Sequence, residues 1–204
     1  MARIDDYIAA KKIAVQKLSA KSFDEISQIT EFESPETNAF RVPFLDGVYR
    51  IGFPEFDFEV ESDSSRDIPI QEQIVILHYM LADSLRKPSG NWIAYREVPG
   101  ASFYFSAFVK RAIDPLKNVF GQNISGLQKA AEKLKGAPID PGDAGFEFRV
   151  FPNVSLQMIL YAGDEEFPAE ASILFDGEVG EILSPEDIAW MAGMVVYRLI
   201  ALAR

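Results

Sequence analysis

The spacing of apolar residues predicts helices in the first 85 residues of the chain. Helical periodicity runs over residues 4–18 and again over 70–85. Between these two segments, Ser22 and Glu25 have the spacing of a capping box and predict a short helix. The face of the first helix that is expected to be buried consists of Ile4, Ile8, Val15 and Leu18.

Extended segments are predicted where the polarity changes at every residue or where turn residues separate apolar runs. Residues 38–53 predict two strands joined at Asp46-Gly47, a pair typical of tight hairpin turns. In residues 55–61 apolar residues alternate with acids, so one face of this strand is apolar and the other acidic. Residues 92–98 predict a further strand.

The second half of the chain predicts a cluster of helices, then strands, then one long helix. The helices are expected over 101–135, with breaks near Pro115 and near 121–125, and a loop is expected at 136–145. Ser184 and the Pro-Glu-Asp sequence after it predict the start of a final helix. The strands predicted between that loop and the final helix are 146–151, 154–162 and 171–176.

Because helices and strands occur in clusters and do not alternate, the pattern favours an α+β fold. We expect a mixed, largely antiparallel sheet packed with several helices. A length of 204 residues suits a single globular domain, 1–204, in which residues 1–37 form a helical lead-in to the region 38–204.

Composition excludes several kinds of chemistry. The chain has no cysteine, so disulfides, iron–sulfur ligation, thiolate zinc sites and a cysteine nucleophile are excluded. Its one histidine, His78, lies on the apolar side of a predicted helix, which favours a structural role. No phosphate-binding loop or dinucleotide fingerprint is present, so no cofactor is evident. The start lacks a signal-peptide pattern and no apolar run is long enough for a membrane span, which predicts a soluble cytoplasmic protein.

The charge layout excludes some partners and suggests others. A net charge of -11 argues against nucleic acid and against an anionic membrane surface. Residues 150–197 contain nine acids and no lysine or arginine, whereas residues 103–135 contain six bases and two acids. These two segments either face each other or each face a partner.

A cluster of acids is predicted to surround the turn of a strand hairpin. One interpretation is a solvated turn whose carboxylates cap backbone amides or pair with the basic helices. A second is a divalent-cation site for Mg²⁺ or Ca²⁺, which prefer oxygen ligands, although the spacing matches no EF-hand. A third is recognition of a cationic partner. The acids are Asp164, Glu165, Glu166 and Glu170, of which Asp164, Glu166 and Glu170 are the candidate metal ligands.

Arg96 is a candidate for binding an anionic ligand, because a guanidinium presents a planar fork of donors. In a strand, Arg96 and Glu97 would point to opposite faces and would not neutralise each other. Arg96 therefore needs a carboxylate from elsewhere: a structural ion pair, the acids of the turn, or a ligand.

Two segments carry a resemblance to a known family. WIAYREVPGASFY (92–104) and YAGDEEFPAEASILFD (161–176), the latter followed by a Leu-Ser-Pro-Glu-Asp helix start, resemble an uncharacterised domain family of bacteria and archaea, many of them anaerobes. The resemblance extends from about Asn38 to the C-terminus. It implies no activity and no catalytic residues. Some family members are joined to iron–sulfur segments, and for this cysteine-free chain the resemblance implies that any cluster-related role would come through a partner.

Two functions follow from these observations. The first is a non-catalytic accessory protein that binds a small ligand or a protein partner through Arg96 and the acids of the turn. The alternative is a hydrolase-like enzyme that uses a divalent metal at residues 164–170. The final helix is apolar on all sides, which also allows a homodimer.

Overall fold

The computed structural model describes residues 4–36 and 38–203. The backbone separates into two compact units, Met1–Arg86 and Lys87–Arg204. Each unit contains its own antiparallel sheet and its own helices, and each is described by itself below.

In the described part of the first unit, helices accompany a four-stranded antiparallel sheet of order β1-β2-β3-β4. The helices are α1 (Ile4–Leu18), α2 (Phe23–Thr30) and α3 (Ile70–Met80). The strands are β1 (Glu33–Glu36), β2 (Ala39–Phe44), β3 (Gly47–Gly52) and β4 (Phe58–Val60).

Two local sequence signals in this unit, a capping box and a hairpin turn, correctly predicted the structure. The Ser22 side chain accepts a hydrogen bond from the Glu25 amide and caps α2. The Glu25 carboxylate accepts in turn from the Ser22 amide, which completes the predicted capping box. The predicted hairpin forms between β2 and β3. Its turn is one residue earlier than expected, because Phe44 pairs with Gly47 and leaves Leu45 and Asp46 as the central residues.

Helix α1 has the predicted bounds, but its buried face agrees with the predicted one only at Leu18. Ala14 and Leu18 are buried, whereas Ile4 and Ile8 are 66% and 53% exposed. The prediction for Ile4 and Ile8 was therefore wrong. Helix α1 packs against α3, and the face that it buries includes Ala14 and Leu18.

In the described part of the second unit, the sheet has five antiparallel strands in the order β5-β9-β8-β7-β6. The strands are β5 (Trp92–Ala94), β6 (Ala137–Ile139), β7 (Ala144–Phe151), β8 (Val154–Tyr161) and β9 (Glu170–Asp176). The α-helices are α4 (Phe105–Phe108), α5 (Asp114–Phe120), α6 (Ile124–Lys133), α7 (Val179–Ile182) and α8 (Pro185–Leu202). Short 3₁₀ helices cover Tyr95–Glu97 and Ala101–Phe103, and a π-helical turn covers Val109–Ile113.

The α+β fold with antiparallel sheets and several helices confirms the predicted fold class. Two predictions about extended segments in this unit were wrong. The expected loop at 136–145 contains β6, and the strand expected over 92–98 ends at Ala94. In the second case the side chain of Tyr95 turns the chain into a 3₁₀ helix, as shown below.

The helical path does not break at Pro115, contrary to prediction. Pro115 has no N–H and cannot donate to the carbonyl four residues earlier, that of Arg111. The backbone widens into the π turn Val109–Ile113 just before it and then continues as α5. One wide turn thus accommodates the proline without ending the helix.

Helix α8 occupies the centre of the second unit. Ser184 accepts a hydrogen bond from the Asp187 amide and caps its first turn, as predicted. The helix packs against α4, the π turn, α5 and α6. Next to these helices lies the apolar face of the sheet, on which Phe148, Leu156 and Phe175 are paired across β7, β8 and β9 and are all buried.

Asp176, at the end of β9, is a buried carboxylate with several hydrogen bonds. It accepts from the backbone amides of Ser89 (3.0 Å), Gly90 (2.7 Å) and Glu178 (3.0 Å), and from the Ser89 hydroxyl. Burial by itself raises the pKa of Asp176, but the hydrogen bonds from Ser89, Glu178 and Gly90 outweigh burial and hold the pKa below its ordinary value. The ionised carboxylate therefore fixes the segment that leads into β5.

We expect Asp176→Asn to lower the free energy of unfolding by about 1–3 kcal/mol at pH 7, because an amide cannot accept from all of these donors. The melting temperature should fall by roughly 2–12 °C. Since the native pKa is lowered, the contribution of the carboxylate is present above the unfolded pKa of about 3.9 and is lost as pH falls through the native pKa. The difference between wild type and variant should therefore narrow below about pH 4.

Denaturant unfolding at several pH values measures this difference. Asp140→Asn is the matched control, since Asp140 is exposed. A difference between wild type and Asp176→Asn that stays constant from pH 7 to pH 3 would contradict the role given to the carboxylate.

Candidate functional site

An apolar groove of about 300 Å³ lies in the second unit. One wall is the end of β5 and the adjoining part of β9, and the other wall is α4 with the π turn. Its lining includes Tyr95, Phe105, Phe108, Val109, Ile113 and Ile173.

Tyr95 shapes the groove by leaving the sheet. Its ring is buried and stacks on Phe108, with centroids 4.2 Å apart and planes 7° from parallel, and it meets Phe175 edge-on at 6.1 Å. Its hydroxyl donates to the carbonyl of Pro185 at 2.7 Å. These contacts draw the chain into the core directly after Ala94, so β5 ends there.

Arg96 follows on the next position of the 3₁₀ turn and lies at the groove. Its guanidinium carbon is 3.6 Å from the ring centroid of Phe105, a cation–π contact. The residue is exposed, and among the described residues no carboxylate lies within salt-bridge distance of it. The structure therefore pairs Arg96 with an aromatic face, and its donors are available to an anion.

The two segments that carry the family resemblance pair as β5 and β9 beside the groove, and the first segment also contacts the start of α8. Tyr95 reaches Pro185, and Tyr104 hydrogen-bonds Glu186. Burial raises the pKa of Tyr95 to about 12, and the charge of Glu186 raises the pKa of Tyr104. Both phenols are therefore neutral at pH 7, and each is engaged at the start of α8, Tyr95 with the Pro185 carbonyl and Tyr104 with the Glu186 carboxylate.

Arg111, on the π turn, carries a second guanidinium, close enough to Tyr95 for its charge to act on the phenol. It stacks over the ring of Trp190 at 4.0 Å. Its Nη1 atom is buried and has no hydrogen-bond partner among the described residues. The positive charge of Arg111 also acts on Tyr95, whose pKa it pulls down against the larger effect of burial.

The predicted acidic turn connects β8 to β9, and none of its acids is among the residues that line the groove, although Glu170 directly precedes the lining residue Ala171. Asp164 accepts hydrogen bonds from the amides of Phe167 (2.7 Å) and Glu166 (2.8 Å). These bonds hold the pKa of Asp164 below its ordinary value. Asp164 is thus the carboxylate that caps the backbone of this turn.

The other acids of the turn, Glu165, Glu166 and Glu170, are exposed. Within residues 4–36 and 38–203, no three histidine, aspartate or glutamate side chains come together in a group that could hold a metal ion. The geometry therefore gives no support to the metal site at Asp164, Glu166 and Glu170, which stays a prediction.

Most of the groove was missed by reasoning from the sequence, and Arg96 is its one residue that was predicted. No motif in the sequence marks Phe105, Phe108, Val109 or Ile113. Pro115 was the available signal, because a proline inside an apolar helical pattern indicates a local widening of the helix.

This architecture defines an α+β protein with an apolar, arginine-flanked groove beside an antiparallel sheet. The chain belongs to the domain family of unknown function DUF3786, whose family model matches residues 22–198. The match starts earlier than the resemblance at Asn38 and spans both compact units.

No curated protein and no solved structure matches the chain. Over the described residues, no helix combines the length and the apolar character that crossing a membrane requires.

We expect Asp164→Ala to release the amides of Glu166 and Phe167, because the carboxylate that accepts from both is removed. Hydrogen exchange measured by NMR should quicken at these two amides. Glu165→Ala is the matched control, since it removes an exposed carboxylate from the same turn. Equal exchange rates in the two variants would show that Asp164 does not cap the turn.

Proposed function

We propose that the chain is a non-catalytic binding domain whose groove takes an apolar group that carries a carboxylate. The observation that carries this proposal is the position of Arg96, an exposed guanidinium stacked on Phe105 at the mouth of an apolar groove. A cytoplasmic location is part of the proposal and is supported by the absence of cysteine.

The size and lining of the groove support an apolar occupant. A volume of about 300 Å³ is at the lower end of the range for small-molecule sites, which suits a single aromatic ring or a branched aliphatic chain. The aromatic rings of Phe105 and Phe108 and the aliphatic side chains of Val109 and Ile113 supply the contact surface.

Arg96 supports an anionic group on that occupant. The stacking on Phe105 fixes the guanidinium plane while leaving its edge free for bidentate hydrogen bonds to a carboxylate.

The chemistry of the lining favours binding over catalysis. The described lining residues include no histidine, aspartate, glutamate or lysine. The hydroxyl of Tyr95 is engaged by the Pro185 carbonyl, and its raised pKa makes it a poor base. The groove therefore offers orientation and burial but no pair of groups for proton transfer.

The test uses 3-phenylpropionate as the probe, with chemical-shift changes followed by NMR. We expect perturbed amides at Ala94, Arg96, Val109 and Ile173, and we expect Arg96→Gln to weaken binding about tenfold, equivalent to about 1.4 kcal/mol. Val109→Glu should also weaken binding, because it places a like charge inside the groove.

Each variant has a matched control outside the lining. Arg149→Gln removes an exposed arginine on β7, and Val119→Glu adds an acid at an exposed valine on α5. Both should bind the probe like wild type. Equal affinity in Arg96→Gln and Arg149→Gln, or shifts confined to other surfaces, would overturn the proposal.

A further inference from the structure

Strand β9 has an open edge where it borders the groove. Strand β5 pairs only with the end of β9, and its last pair is Ala94 with Leu174. Residues 170–173 are paired with β8 on one side. On the other side, no backbone hydrogen bond joins them to another segment among the described residues.

Such an edge presents unpaired backbone groups. In an antiparallel ladder every second residue directs both its N–H and its C=O to the same neighbour. Proteins usually cover or blunt an open edge, because it is a template for pairing with another chain. Here the opening is flanked by apolar side chains and is not blocked by a proline, since the four residues are Glu-Ala-Ser-Ile.

The open edge and the groove form one slot. The groove lining includes Ala171, Ser172 and Ile173. Ala171 and Ile173 lie on the same face of the strand, because they are two residues apart. Arg96 stands at one end of the slot. Beyond the other end, Gly121 approaches Ala169 closely, since a Cβ at Gly121 would lie 2.5 Å from the Ala169 side chain.

We propose that the occupant of the groove is an extended peptide segment of a protein partner, which adds to the sheet as a strand beside residues 170–173. It places one apolar side chain between β9 and the π turn and a carboxylate at Arg96. This inference rests on the proposed function and specifies its ligand.

The dimensions match a short strand. Four residues at about 3.3 Å each give a slot roughly 13 Å long, enough for about four peptide residues. Backbone hydrogen bonds to the edge would supply affinity for any sequence, and the apolar groove would select the side chain that points into it.

The charges at the two ends of the slot determine where the acidic group of the peptide binds. Arg96 lies at the Leu174 end of the slot and Glu170 at the other end. The Glu97 carboxylate, also at the first end, accepts from the amide of Ala94. The donors of Arg96 therefore attract a carboxylate at the first end, whereas Glu170 repels one at the second. An aspartate or glutamate side chain and a C-terminal carboxylate offer the same chemistry, and the experiment distinguishes them.

The probes are peptides selected from a displayed library of random heptapeptides against the full chain, with counter-selection against Val109→Glu. Each selected peptide is synthesised with a free or amidated C-terminus, with each acid replaced by its amide, and with single backbone N-methyl groups along its length. Affinity is measured by fluorescence polarisation, and protection of the amides of Ala171, Ser172 and Ile173 by hydrogen exchange.

We expect N-methylation to weaken binding at least tenfold at alternate positions and to have little effect at the positions between them. Alternate amides of the β9 edge should become protected. Removal of one carboxylate of the peptide, either terminal or side-chain, should lower its affinity about tenfold for wild type and leave its affinity for Arg96→Gln unchanged. 3-Phenylpropionate should compete with the peptide for binding. Val119→Glu should bind like wild type.

Other results separate the two proposals. Peptides that compete with 3-phenylpropionate but tolerate N-methylation everywhere would overturn strand addition and leave the groove as a side-chain site. Binding of 3-phenylpropionate with no selected peptide would overturn the peptide ligand alone. Neither probe binding would overturn the proposed function as well.

Discussion

The burial of Tyr95 is the interaction on which the architecture of the second unit's groove depends. Its ring stacks on Phe108 and meets Phe175 edge-on, while its hydroxyl reaches the carbonyl of Pro185. An aromatic ring of this size contributes a large buried area, and aromatic pairs add roughly 0.5–1.5 kcal/mol beyond that area. The backbone cannot both satisfy these contacts and continue along β9, so β5 is limited to three residues.

Two properties of the groove follow from this one departure. The edge of β9 stays open over 170–173, because β5 no longer covers it. Arg96 is carried out of the sheet and over the ring of Phe105. The opposite wall is set by Pro115, whose missing N–H accompanies the π turn that presents Val109 and Ile113. A short strand and a widened helix thus enclose an apolar slot with one cation at its end.

Local signals predicted the fold well, and the failures have physical causes. Capping residues such as Ser22 and Ser184 act within one turn, so their helices begin where the sequence indicates. The face of α1 depends on the partner that covers it, and periodicity could not choose between the Ile8 face and the Ala14 face. The end of β5 depends on a contact between Tyr95 and Pro185, which are 90 residues apart.

The candidate site was harder to predict for the same reason. Arg96 was predicted from the chemistry of its guanidinium, with an ion pair, the acids of the turn or a ligand as its partner. The structure places it over the ring of Phe105, a contact that no motif marks. The acids of the turn were predicted as a candidate site because they are close together in sequence. Asp164 turned out to bond the turn's own amides, and the groove is built from apolar residues that no motif marks.

The central claim is that the groove beside Arg96 is a binding site for an apolar carboxylate. A crystal structure of the chain soaked with 3-phenylpropionate tests it most directly. The account predicts the aromatic ring between Ile173 and the π turn, with the carboxylate about 3 Å from the guanidinium nitrogens of Arg96. An empty groove with the probe bound elsewhere, or a carboxylate turned away from Arg96, would contradict the claim.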